Sequence, residues 1–386
     1  MKNSYLSICV LCVLLNGCAR EKVLDNNLIH IDVTASYPIK DIKLEEVADI
    51  EYLQLEFDED FLFSEAPSII SANKIIFCDK RNGNILVFSR DGKPISIFNH
   101  KGQGPEEYDL YIEEFIYDEA PDDLFVILAN KILVYSSSGE FKRRILTFAQ
   151  MMFGEIVNND LKTFLLYNND ESNPNRNPAP FSNISKEDGN VVESINIPIG
   201  EIDKKVNTSV IRVGVNNSIG IFPAPAYHIV RHNDGYLLTD FSTDTVYFLS
   251  AEKKLSSMIV RQPAIQSMEP AVILNSLVEA GNYQFASIIP IKHEDRSFPV
   301  TYLMRDKQTG SIYRQKITFN DYKGKEITLS PETIANTHDS KLGLIVLSLM
   351  ELQEASRENK LSGKLKELVD NSDEDGNDVY MLLHFR

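Results

Sequence analysis

The sequence predicts an all-β fold, a six-bladed β-propeller with a few helical insertions in the C-terminal half, and three observations carry that prediction. Short runs of β-branched and aromatic residues are each closed by a turn signal. The strand–turn–strand unit so formed returns five times along the chain, near the spacing of propeller blades. A strand-like segment near the start can pair with one at the very end, which is how a ring of sheets closes.

The first unit runs Ile75–Phe77, the turn Asn82-Gly83, Ile85–Phe88, the turn Asp91-Gly92, and Ile95–Phe98. Asn-Gly and Asp-Gly between such runs point to hairpins, because these turns need positive φ. The second is Leu124–Leu128, Ile132–Tyr135, the turn at Gly139, and Phe141–Leu146. A looser third joins Phe164–Tyr167 to Phe181–Ile184 and then, past Gly189, to Val191–Ile197. The fourth is Tyr236–Leu238, Thr245–Leu249, the turn Ala251–Lys254 and Leu255–Val260. The fifth is Val300–Met304, the turn at Gly310, and Ser311–Thr318. Turn positions 92, 139, 189, 252 and 310 lie 47, 50, 63 and 58 residues apart, so the later intervals must hold insertions. Helical spacing suggests one at Glu269–Glu279, with Pro270 in the first turn and Gly281 as the stop. A second helical insertion is expected between Ser348 and Val369. A sixth blade is expected where Ile50–Leu55 meets the closing strand Val379–Phe385.

The N-terminus carries a different signal. Lys2 precedes an apolar run, Leu6–Leu15, which suits a secretory leader and is too short to span a bilayer. It ends in Leu15-Asn16-Gly17-Cys18, which resembles the bacterial lipobox. That resemblance implies a signal peptide over residues 1–17, cleavage, and a lipid on Cys18 as the membrane contact. Residues 18–38 then read as lipidated cysteine and tether, and residues 39–386 as the propeller. Cys9 and Cys12 leave with the leader and Cys18 is acylated, so Cys78 alone remains; its apolar neighbours make it a core residue.

The leader and lipobox, the run Ile50–Glu56, the hairpin Ile85–Lys93 and the motif Gly102-Gln103-Gly104-Pro105-Glu106-Glu107-Tyr108 together resemble a family of bacterial six-bladed β-propeller lipoproteins related to NHL-type propellers. In that family the glycine motif often has a third glycine where Glu106 stands here. The resemblance implies a propeller at the cell envelope, on the outer membrane, with periplasmic or surface display left open, and no particular reaction.

Composition narrows the partners. The formal net charge is −17, and Met1–Gly17 holds one lysine and no acid, so the remainder stands at −18. Such a surface repels phosphate backbones, which excludes nucleic acid as a partner. Trp is absent, which removes the indole platform of many carbohydrate sites.

No catalytic constellation emerges. Gly102–Pro105 lacks the Gly-Lys-Ser/Thr ending of a phosphate loop and reads as a blade connector. His228 and His232 are four apart; on a strand that separates them by roughly 13 Å, too far for one metal, and a third ligand from His293 or His338 has no support in spacing. Asp373-x-Asp375-Gly376-x-Asp378 echoes a calcium loop without its full pattern and reads as an exposed turn. No Gly-x-Ser-x-Gly is present. The sequence therefore predicts no catalytic, cofactor or metal residue, and leaves the cofactor question open. It favours an envelope lipoprotein whose propeller is a non-catalytic binding or scaffolding module for a protein, peptide or glycan. The alternative is a lyase or hydrolase with its active site at the channel mouth. Convergence of three or more His, Asp or Glu at that mouth would favour the enzyme; a merely acidic mouth would favour binding.

Overall fold

The turns that punctuate the sequence set the architecture. In a computed structural model, residues 28–59, 61, 66–108, 111–146, 154–167, 179–199, 205–213, 219–292, 297–335 and 339–386 are described. The chain opens with three strands that belong to blades formed much later, β1 (Ile29–Asp32), β2 (Ile39–Lys43) and β3 (Ala48–Gln54). Blade 1 follows as β4 (Ile69–Ile70), β5 (Lys74–Cys78), β6 (Asn84–Ser89) and β7 (Pro94–Asn99). Blade 2 is β8 (Glu114–Asp118), β9 (Asp123–Ile127), β10 (Lys131–Tyr135) and β11 (Phe141–Leu146). Blade 3 is β12 (Glu155–Asn158), β13 (Thr163–Tyr167), β14 (Phe181–Ser185) and β15 (Val191–Ile195).

A separate hairpin, β16 (Ser209–Val213) with β17 (Ile219–Pro223), lies between blades 3 and 4 and fills the longest of the intervals. Blade 4 is β18 (Ile229–His232), β19 (Gly235–Leu238), β20 (Thr245–Leu249) and β21 (Leu255–Gln262). Blade 5 is β22 (Val272–Ala280), β23 (Tyr283–Pro290), β24 (Thr301–Asp306) and β25 (Ile312–Phe319), with β26 (Tyr322–Ile327) continuing along β25. Then come helix α1 (Pro331–Ala335), β27 (Leu342–Leu347), helices α2 (Leu349–Arg357) and α3 (Gly363–Asp370), and β28 (Val379–Phe385). Blade 6 is β27, β28 and β3, so the N-terminal and C-terminal strands share one sheet and close the ring of six.

The N-terminal segment does more than close the ring. β1 adds to the outer edge of blade 4 in parallel with β21, and β2 adds to blade 5 in parallel with β25. Ile29–Asp32, expected within the tether, is therefore part of the propeller, because Ile29 and Ile31 bury against blade 4. Apolar clusters lie between successive sheets, for example Ile116, Phe125 and Ile132 of blade 2 against Ile156, Phe164 and Leu166 of blade 3. Cys78, in no disulfide, is buried in one such layer.

A second expectation is overturned. Glu269–Glu279 is not a helix: Val272–Ala280 is the innermost strand of blade 5, and Gly281 (φ 57°) turns it into β23. Ile273, Leu274, Leu277 and Val278 are all buried, and a run apolar on both faces carries no periodicity that separates strand from helix. The second insertion is helical, but Asn359 (φ 56°) and Gly363 (φ 57°) divide it into α2 and α3.

Candidate functional site

Each blade's innermost strand begins at the end of the channel where the blade-to-blade connectors arrive. Glu114 and Glu155 are the first residues of β8 and β12, and Tyr227 and His228 immediately precede β18, so all four sit at this end. Helix α1 packs against β22 and β27, and its Pro331 and Ile334 share a cavity of about 50 Å³ with Val157, Tyr227 and Arg231 of blades 3 and 4. The helix thus bridges the mouth from blades 5 and 6 to blades 3 and 4, and places Glu332 among the other acids.

Most polar groups here already join one blade to the next. Both carboxylate oxygens of Glu155 accept backbone N–H groups of blade 4, from His228 at 2.7 Å and Ile229 at 3.1 Å. Asn275 of β22 spans the following junction, accepting from Tyr227 N–H at 3.1 Å and donating to Pro225 O at 2.8 Å. Lys80 of blade 1 donates to Glu113 O at 2.9 Å and pairs with Glu114 at 3.1 Å. His228 stacks on Tyr167 with ring centroids 3.7 Å apart, and its Nδ1 meets Thr239 O at 2.8 Å.

Burial decides the electrostatics of the mouth. Glu155 keeps some accessible surface, yet the protein around it pushes its carboxyl up to about 8; the two amide donors pull the other way and the charge of Glu114 adds to the rise. Burial lowers His228 to about 4 against the pull of its Thr239 hydrogen bond. Burial also raises the Tyr227 hydroxyl, with Glu332, Glu155 and Glu114 adding to the effect, and it raises Tyr302, where Glu332 contributes. Glu113 is raised as well, chiefly by burial. Glutamates and tyrosines thus act on one another at this end of the channel.

The residues singled out in the sequence do not converge there. His228 belongs to the mouth, but His232 lies at the far end of β18, beside Glu279 at 3.7 Å. His293 and His338 lie outside the described residues, as do Cys18 and the leader. Among the described residues no group of three or more His, Cys, Asp or Glu is arranged to hold a metal, and no helix is long and apolar enough to cross a membrane. The acidic turn serves as structure: Asp378 accepts Leu349 N–H at 2.9 Å at the start of α2, and Asp370 pairs with Lys366 and accepts from Ser356.

Gly102–Tyr108 is a connector between blades 1 and 2, as its sequence implies. Glu107 accepts the Gly104 N–H at 2.8 Å, and Glu106 O accepts the hydroxyl of Tyr135. The fully buried Tyr108 hydroxyl donates to Gly83 O at 2.7 Å and accepts His100 N–H at 2.6 Å. What the sequence did not reveal are Glu114, Glu155, Tyr227 and Glu332. The one signal that could have found them is position, since three of the four stand where a connector enters an innermost strand.

Six sheets in a closed ring, with carboxylates and tyrosines at one mouth and a short helix across it, define a six-bladed β-propeller. Residues 28–384 match the family described as Domain of unknown function (DUF4934), and the chain belongs to that family. It is similar in structure to a Bacteroides fragilis protein whose name calls it exported, at 14% identity and a TM-score of 0.58, covering 93% of this chain and 99% of that one. It also matches a DUF4221 member from Bacteroides vulgatus (12% identity, TM-score 0.47, 88% and 98% covered) and virginiamycin B lyase from Staphylococcus aureus (12%, 0.32, 68% and 97%). No curated protein matches the chain.

Proposed function

We propose that this chain is an envelope lipoprotein, held to the membrane by a lipid on Cys18, whose propeller binds or scaffolds a protein, peptide or glycan at the α1 end of its channel without transforming it. The observation that carries this reading is the commitment of the mouth's polar groups to the fold. Glu155 spends both oxygens on blade 4, Asn275 is used on both sides, and Lys80 is taken by Glu113 and Glu114. A general acid or base must be free to reach the reacting proton, and these groups are already engaged. The exported name of the Bacteroides fragilis relative and the lipobox-like Leu15–Cys18 support the envelope address.

A second reading, a lyase or hydrolase at the same mouth, has one observation in its favour: a carboxyl poised at about 8 beside Tyr227. Affinity capture of the lipidated protein from its own envelope, with bound proteins and glycans identified, separates the two. Recovery of an unaltered partner supports binding; turnover of a glycan or peptide sinks it. For the anchor, Cys18→Ala is expected to abolish labelling by radioactive palmitate and to move the protein out of the membrane fraction. A variant that stays labelled and membrane-bound rules the anchor out.

A further inference from the structure

Beside the mouth lies a cleft of about 420 Å³, between blades 5 and 6. One wall is β26 and the residue after it, from Lys325 to Thr328, and the other is β27, from Leu344 to Leu347; Glu332 of α1 connects it to the channel mouth. Successive side chains on a strand point to opposite faces. A wall made of four consecutive residues is therefore the strand's edge rather than one of its faces. Among the described residues β27 pairs only with β28, on its other side, so the edge along the cleft has no ladder partner. Across the cleft, β26 pairs with β25, and its Tyr322 end bridges to Leu361.

An open edge is a template for another strand, and this molecule uses its edges so twice. β1 and β2, four and five residues long, add in parallel to β21 and β25; β1 alternates apolar and polar residues, Ile29-His30-Ile31-Asp32, while β2, Ile39–Lys43, buries Ile42 alone. The β27 cleft offers the same kind of support. Leu344 and Leu347 are buried in its wall, Val346 is 39% exposed, and the exposed carboxylates of Glu326 and Glu332 stand at its polar side. The lysine of the cleft, Lys325, is paired with Glu351 at 3.0 Å.

We propose that this cleft takes a short extended peptide as an added strand on the β27 edge, with alternate apolar side chains against Ile327 and Val346 and a basic side chain facing Glu326 and Glu332. The inference rests on the reading of the domain as a binding module and names its ligand class. The backbone supplies the affinity through ladder hydrogen bonds, while the two glutamates select positive charge.

The test uses the full-length protein and a blocked, fluorescent hexapeptide, Val-Lys-Val-Thr-Val-Lys, with a copy N-methylated at alternate residues as control. N-methylation removes the strand's donors and leaves its side chains in place. The first peptide is expected to bind and to slow amide hydrogen exchange over residues 342–347. The N-methylated copy should bind at least tenfold more weakly, the loss of about one net hydrogen bond or more. Glu326→Gln with Glu332→Gln should weaken binding about fivefold in low salt, as for exposed ion pairs, and the two exposed positions leave the fold intact. Equal binding of the two peptides, or protection elsewhere on the ring, overturns the assignment. So does failure of the peptide to bind while envelope capture still recovers a protein or glycan, a result that leaves the binding-module reading standing. Turnover of a captured ligand would instead remove that reading, whatever happens at the cleft.

Discussion

At the scale of single residues, the most demanding group is Lys186. Its side chain is 4% exposed and its Nζ donates to Asp118 at 2.6 Å, to Asn158 Oδ1 at 2.7 Å and to Asp160 O at 2.6 Å, while lying over the rings of Phe125 and Phe164. Burial lowers its pKa, and the hydrogen bond to Asp118 opposes that. The pair ties blade 2 to blade 3. Lys186→Met leaves Asp118 buried beside Asn158 without its cation, and is expected to cost about 3–5 kcal/mol in urea denaturation. Lys186→Met with Asp118→Leu should recover most of that loss, because the penalty comes from the stranded charge rather than from the missing pair.

The mouth residues predict a pH profile. Glu155 is raised from 4.5 to about 8, so its contribution to stability is complete below its unfolded value and is lost as pH rises through 8. His228 is lowered from 6.5 to about 4, so its contribution is complete above its unfolded value and is lost as pH falls through 4. Denaturation midpoints should therefore decline on both sides of a maximum between pH 5 and 7. Glu155→Gln should flatten the alkaline limb alone, and an unchanged alkaline limb would show that Glu155 does not titrate there.

At the scale of the element, the repeating object is the turn between the third and fourth strands of a blade. In blades 1, 2 and 4 the same geometry recurs: Ser89, Ser136 and Ser250 each donate N–H to the carbonyl four residues on, and their hydroxyls accept from Lys93, Glu140 and Lys254. The fourth position is left-handed, at Gly92 (φ 88°), Gly139 (φ 88°) and Lys253 (φ 63°). A side chain at residue 139 would also strike Phe98 at 2.7 Å. Gly139→Ala is thus expected to cost more than the about 1–2 kcal/mol of a left-handed non-glycine residue, read as a lower unfolding temperature. These turns were legible because their chemistry is local. The strand β22 was not, since an apolar run buried on both sides fits a helix as well, and only its neighbours in blade 5 decide.

At the scale of the whole molecule, the first 27 described residues, Leu28–Gln54, stitch three blades together by supplying β1 to blade 4, β2 to blade 5 and β3 to blade 6. The three contributions are unequal. Without β1 blade 4 keeps its own four strands, whereas without β3 blade 6 retains only β27 and β28 and loses the pairing that joins the two ends of the chain. Deletion through Val33 should give a protein that unfolds cooperatively at a lower temperature. Deletion through Leu55 should give one that exposes its core and is cut rapidly by protease, since no blade shields its faces alone. Equal resistance of both truncations to protease would show that closure through β3 is not what holds the ring.

The sequence alone determined the number of blades, the positive-φ turns, and the sharing of one sheet by a strand near the start and the strand at the end. The turns follow from residues near one another in the chain, and the blade count and closing pair from the recurrence of the units and the strands left over at the two ends. Only the tertiary structure decided that β1 and β2 serve blades 4 and 5, that Glu114, Glu155, Tyr227 and Glu332 meet at one end of the channel, and that Leu344–Leu347 of β27 line a cleft with no ladder partner on that side among the described residues. Those groups come from different blades, separated by up to 218 positions between Glu114 and Glu332, and what brings them together is the closing of the ring, a long-range event that leaves no periodic trace in the chain.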